Sequence, residues 1–121
     1  MKLRIRGNSI RLRLTRAEVG KLAAGETVSE SIDLMPIKLT YELCTAVEAS
    51  QINATFAAGC LTVSIPERQA REWAMTGAIG LEALAGKISI LVEKDFACVN
   101  PRFGEDESDM FEHPDAAGKA C

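Results

Sequence analysis

The chain has 121 residues and a mass of 13.1 kDa, which suits one domain and leaves little room for a second. Hydrophobic residues make up 47% and charged residues 26%, and this composition excludes a wholly disordered chain. A net charge of -3, a pI near 5.2 and few aromatic residues argue against nucleic-acid binding, which needs a basic surface and stacking side chains. With no membrane-length apolar stretch, no signal-peptide pattern and no CxxC cysteine pair, we expect a cytoplasmic protein with no membrane association.

The chain begins with the pattern of a β-hairpin. Residues 2–6 and 10–14 each alternate polar and apolar side chains, as half-buried strands do. Gly7, Asn8 and Ser9 lie between them and are typical turn residues. Two strands joined in this way are predicted to pair antiparallel.

A short helix is predicted next. Thr15 and Glu18 have the spacing of a capping box, in which each side chain bonds to the backbone N–H of the other. Leu14 and Val19 are placed for the hydrophobic contact that often accompanies this cap. Gly25 can take a positive φ without a Cβ clash, so we expect the helix to end just before it.

The rest of the chain repeats this order and then loses periodicity. Further strands are predicted at 27–34, 37–47, 51–57, 60–65, 78–84 and 87–96. A second helix is predicted from Pro66 to about Met75, with Gly77 as its stop. We therefore predict a single domain over residues 1–97 and an irregular acidic tail over residues 98–121.

The domain is predicted to contain two similar halves, about 1–47 and 51–97. At an offset of 51 residues, the strand patterns, the helix and the helix stop of the first half fall on those of the second without a gap. Each half reads strand, strand, helix, strand, strand. The predicted fold class is therefore α+β, a mainly antiparallel sheet or barrel of about eight strands with two helices.

Charge is distributed unevenly along the chain. Residues 1–21 carry seven basic residues and one acidic residue, a net charge of +6. Residues 98–121 carry six acidic and two basic residues, a net charge of -4. Such asymmetry indicates either an anion-binding face or two segments that pair with each other.

Every predicted strand has one apolar and one polar face, and two packings satisfy this pattern. In the first, the apolar faces meet in the core, the helices cover its ends and the polar faces are solvated. In the second, the sheet closes into a barrel with the helices outside, and the polar residues line a tunnel.

The second packing resembles the CYTH-like triphosphate tunnel fold, which is also a duplicated unit of strands with one helix. The likeness covers about residues 1–96. It implies phosphate ligands at Arg4, Arg6, Arg11, Arg13 and Lys38, and Mg²⁺ or Mn²⁺ ligands at Glu42 and Glu93. Guanidinium forks suit phosphate and carboxylates suit hard cations. The ExExK strand of that family is missing, because Leu3-Arg4-Ile5-Arg6 contains no acidic residue.

The end of the chain carries its most distinctive motifs. The segment EKDFAC over residues 93–98 is followed by the acidic stretch EDESDMF over residues 105–111. With the LRIRGNSIRLRL start, these motifs make the chain resemble a family of small uncharacterised bacterial proteins. The resemblance covers nearly the whole chain and implies no particular activity.

Three interpretations of the tail stay open. Its acidic residues can be solvated while Phe103, Met110 and Phe111 anchor it to the body. The acids can instead dock on the basic strands. In the third, mixed sulfur, oxygen and nitrogen ligands suited to Zn²⁺ or Fe²⁺ converge from Cys98, Glu105, Asp106, Asp109 and His113.

The sequence favours a non-catalytic binding or interaction protein that recognises a small anion, such as phosphate, or a protein partner. The predicted ligand residues are Arg4, Arg6, Arg11, Arg13 and Lys38, and no cofactor is expected. The alternative is a metal-dependent phosphohydrolase of the triphosphate-tunnel type, which would use Mg²⁺ or Mn²⁺ at Glu42 and Glu93. The sequence does not decide whether the protein is an enzyme.

Overall fold

A computed structural model describes residues 1–96, which form eight strands and two helices. The helices are α1 (Arg16–Ala23) and α2 (Glu67–Met75), and the strands are β1 (Lys2–Arg6), β2 (Ser9–Leu14), β3 (Val28–Ile32), β4 (Leu39–Ala46), β5 (Asn53–Ala57), β6 (Cys60–Pro66), β7 (Gly80–Ala85) and β8 (Ile88–Lys94). The predicted α+β class is thereby confirmed. The predicted tail lies outside the described residues.

Both halves have the predicted order of strand, strand, helix, strand, strand. They build two four-stranded sheets, sheet A in the order β1-β2-β8-β7 and sheet B in the order β3-β4-β6-β5. Each sheet takes one antiparallel hairpin from each half, and the hairpins join through a parallel pair, β2–β8 or β4–β6. If the two halves are exchanged, sheet A takes the place of sheet B, as expected for two halves related by a pseudo-two-fold axis.

The strand pairing corrects the ungapped offset of 51 residues. That offset holds for β1 with β5 and for β2 with β6, but it places Tyr41 on Val92. Tyr41 pairs with Leu61, and the corresponding pair joins Ile90 to Ile10, so Tyr41 is equivalent to Ile90. The offset is 53 residues at β3 and β7, where Val28 corresponds to Leu81, and it falls to 49 at β4 and β8 because the β3–β4 loop has six residues and the β7–β8 loop has two.

The apolar strand faces form one core together with the helices. It contains fully buried side chains from both sheets and both helices, among them Leu12, Leu14, Leu22, Leu43, Val63, Ile65, Trp73, Ile90 and Val92. No polar or charged residue within residues 1–96 is buried. The tunnel packing gains no support in this part of the chain, because the strands form two separate sheets and not one closed barrel. Burying the apolar faces is favourable, whereas enclosing arginines without partners would be costly.

Local rules account for both helices. At the start of α1, Glu18 N donates to Thr15 Oγ1 at 3.3 Å and Thr15 N donates to Glu18 Oε1 at 2.9 Å, which confirms the capping box. Gly25 has the positive φ expected after the helix, at 85°. Helix α2 ends at Met75 because Thr76, rather than Gly77, takes an extended conformation. Neither helix is long and apolar enough to cross a membrane.

Candidate functional site

The outer face of sheet A holds a concave site of about 290 Å³. We call this site the arginine face. Its lining residues come from all four strands of the sheet and are Arg4, Arg6, Ser9, Arg11, Glu82, Ser89 and Leu91.

Strand register brings these side chains together in two rows. In one row, Arg4 lies opposite Arg11 across the β1–β2 hairpin, and Leu91 on β8 is the neighbour of Arg11 on its other side. Glu82 on β7 completes this row. The second row contains Arg6, Ser9 and Ser89. Because side chains alternate along a strand, residues paired in register share a face, and here the opposite face is the core.

The arginine face is positively charged and incompletely neutralised. Arg13 Nε lies 3.0 Å and Arg11 Nε 3.4 Å from the same oxygen, Glu93 Oε1. Arg4 and Arg6 make no ion pair with any residue in the described range. Like charges directly opposite each other in a sheet are destabilising, and Arg4 opposite Arg11 is such a pair. An anion between them would turn this repulsion into attraction.

Lys38, the fifth predicted phosphate ligand, lies away from the arginine face. It belongs to the β3–β4 loop beside sheet B, and its Nζ is 3.9 Å from Asp33 Oδ1. The structure therefore brings together Arg4, Arg6 and Arg11, with Arg13 alongside through Glu93, but not Lys38. The tunnel arrangement that would have included Lys38 fails because sheets A and B are separate.

The two predicted metal ligands are also separated. Glu93 lies on β8 in sheet A and binds arginines, whereas Glu42 lies on β4 in sheet B. Glu42 accepts a hydrogen bond from Thr62 Oγ1 at 2.9 Å. Within residues 1–96, no three Cys, His, Asp or Glu side chains cluster closely enough to hold a metal ion. The tail residues proposed for Zn²⁺ or Fe²⁺ lie outside that range.

Cys44, one of two half-buried cysteines in the described range, does not have the properties of a reactive thiol. Burial, with a smaller effect from the nearby Glu42 carboxylate, raises the pKa of the Cys44 thiol, so it stays protonated at neutral pH. Cys60 Sγ contacts Thr62 Oγ1 at 3.6 Å. Both residues fit the small packing role that the sequence predicts for strand cysteines.

Sequence reasoning missed the partners that complete the arginine face. Ser89 and Glu82 belong to predicted polar faces, and Ser9 belongs to a predicted turn. The sequence therefore predicts that each of them is exposed. What the sequence lacks is the parallel pairing of β8 beside β2, which places Ser89 next to Ser9 and Leu91 next to Arg11. This pairing joins residues about 80 positions apart, and no local sequence pattern indicates it.

A second concave surface, which we call the apolar groove, lies where β2, β4, β6 and β8 begin. It has a volume of about 230 Å³ and is almost wholly apolar. Its side chains include pairs related by the pseudo-two-fold, such as Ile5 with Phe56 and Ile10 with Leu61. Ile5 and Phe56 are both about two-thirds exposed. The groove adjoins the arginine face across β1, where Ile5 alternates with Arg4 and Arg6.

Comparison with known proteins places the chain in a family without assigning an activity. The model of a family of unknown function, DUF7009, matches residues 1–115, so the chain belongs to that family. No curated protein and no solved structure matches the chain. The resemblance to the CYTH-like fold gains no support from these comparisons.

Proposed function

We propose that this member of the DUF7009 family binds a small phosphate-type anion on the arginine face. The observation that supports the proposal most strongly is the grouping of Arg4, Arg6 and Arg11 around one concave site. Two of these, Arg4 and Arg6, lack an acidic partner within residues 1–96.

The chemistry of the lining suits phosphate. A guanidinium group donates parallel N–H bonds that match two phosphate oxygens, and charge-assisted hydrogen bonds of this kind are about twice as strong as neutral ones. Ser9 and Ser89 add hydroxyl donors from neighbouring strands. The half-buried Leu91 offers an apolar contact for the organic part of a phosphate ester.

We do not propose the phosphohydrolase alternative. It needs the carboxylates of Glu42 and Glu93 at one metal site, and they lie on different sheets. Carboxylates that share a divalent cation must approach it within about 2.0–2.6 Å.

The proposal is tested by calorimetric titration of the full chain with phosphate, pyrophosphate and triphosphate, each with and without Mg²⁺ or Mn²⁺. Arg4→Gln and Arg6→Gln remove one charged donor each, and we expect each to weaken binding about tenfold. Arg68→Gln is the matched control, because Arg68 is an exposed arginine on α2 without an ion pair in the described range. Equal affinities in all four proteins, or no binding of any phosphate, would refute the proposal.

A further inference from the structure

We infer that the acidic segment of residues 105–109 covers the arginine face of its own chain and competes with the bound anion. The inference rests on the proposed function, since it assigns a regulator to the same site. The described residues and the sequence support it in two independent ways, through charge and through reach.

The charges of the two segments are complementary. Residues 105–109 contain four carboxylates in five positions, at Glu105, Asp106, Glu107 and Asp109. The arginine face presents Arg4 and Arg6, which have no acidic partner within residues 1–96. Four closely spaced carboxylates can satisfy these guanidinium groups as a phosphate chain would.

The described end of the chain lies just past the end of β8, in the same sheet as the arginine face. Asp95 N donates to Leu14 O at 2.7 Å, and Lys2 Nζ lies 3.2 Å from Asp95 Oδ2, so the chain follows sheet A past the end of β8. Leu91, on the arginine face, is five residues before Phe96, about 17 Å along an extended strand.

The connection is long enough for the segment to turn back. Eight residues lie between Phe96 and Glu105, and the nine steps from one to the other can span up to about 30 Å when extended. This exceeds the distance along β8 to the row of Arg4, Arg11 and Leu91. A short tether also gives the segment an effective concentration in the millimolar range. A contact that would be weak between separate molecules is therefore enough to compete with a ligand.

The inference predicts that removing the carboxylates of residues 105–109 exposes the arginines. The test variant is the full chain with Glu105→Gln, Asp106→Asn, Glu107→Gln and Asp109→Asn. The matched control removes four exposed carboxylates elsewhere, through Glu26→Gln, Asp33→Asn, Glu48→Gln and Glu72→Gln. Both proteins gain the same net charge, so any effect specific to the first belongs to the position of its acids.

The first readout needs no ligand. Phenylglyoxal modifies accessible guanidinium groups, and peptide mass spectrometry gives the rates at Arg4 and Arg6 with Arg68 as the internal reference. We expect these rates to rise at least threefold in the test variant and to stay unchanged in the control. Because exposed charges are screened by salt, 0.5 M NaCl should remove most of the difference.

The second readout is the dissociation constant for triphosphate, which we expect to be about fivefold lower in the test variant than in the control. Unchanged labelling at Arg4 and Arg6 overturns the inference, whatever the triphosphate result. Faster labelling with equal triphosphate affinity in the two variants would show that residues 105–109 do not compete with the anion. Faster labelling when no phosphate binds any protein supports coverage of the arginine face and refutes the proposed function.

Discussion

Glu93 is predicted to stabilise the fold and to weaken anion binding through the same carboxylate. Its Oε1 lies 3.0 Å from Arg13 Nε and 3.4 Å from Arg11 Nε, and its side chain is only 15% exposed. Glu93→Gln keeps the shape and one acceptor oxygen but removes the charge from both contacts. We therefore expect two effects of opposite sign.

These two contacts set the cost in stability. Exposed ion pairs contribute about 0.2–1 kcal/mol, and hydrogen bonds to charged groups about 1.5–3 kcal/mol. Because the two arginine side chains are 24% and 30% exposed and glutamine keeps an acceptor, we expect a loss of about 1 kcal/mol. In a domain of this size that corresponds to a fall in Tm of about 4–8 °C.

The gain in affinity follows from the lost negative charge. At about 10 Å and an effective dielectric constant of about 40, one unit charge repels an anionic charge by about 0.8 kcal/mol. We expect triphosphate to bind about three- to tenfold more tightly to Glu93→Gln. The assays are calorimetric titration for affinity and thermal unfolding for Tm.

Glu82→Gln is the matched control. Glu82 lines the arginine face, but it makes no ion pair with a residue in the described part of the chain. Its substitution should raise the affinity and leave Tm within about 1 °C, since exposed substitutions change stability by less than about 0.5 kcal/mol. Weaker triphosphate binding in Glu93→Gln would refute the reasoning, because Glu93 would then act by positioning Arg11 for the ligand.

The remaining predictions concern stability, and urea unfolding measures each of them. The pKa of Glu18 is lowered: burial acts to raise it, but hydrogen bonds from the Met1 ammonium and from Thr15 together outweigh burial. The pKa of the Met1 ammonium is raised: burial acts to lower it, but the carboxylates that it contacts outweigh burial. The contribution of Glu18 to the free energy of unfolding is therefore lost as the pH falls below about 4.5 and through its lowered pKa. The contribution of the Met1 ammonium is lost as the pH rises above about 8 and through its raised pKa. Glu18→Gln should flatten both slopes, and an unchanged pH profile would contradict this account. Trp73→Ala should cost about 3–5 kcal/mol, because the ring is 1% exposed. Trp73→Phe should cost less than half as much, since it loses chiefly the 3.2 Å hydrogen bond from Nε1 to Ile79 O; equal costs for both variants would show that burial is not dominant.

The arginine face was only partly predictable. Alternation identified Arg4, Arg6, Arg11 and Arg13 as members of polar strand faces, and the β1–β2 hairpin made the proximity of Arg4 and Arg11 predictable. Lys38 entered the predicted set only through the resemblance to a tunnel fold. It lies elsewhere because the two sheets do not close into a barrel.

The sequence by itself determined the local elements, because each depends on residues only a few positions apart. The capping box of Thr15 and Glu18, the positive φ at Gly25 and the alternation within each strand are interactions of this kind. Only the tertiary structure decided which hairpins join into one sheet, because that joining pairs strands far apart in the sequence. Pairing β8 with β2 depends on burying the apolar side chains of the described domain in one core, and it is this pairing that builds the arginine face.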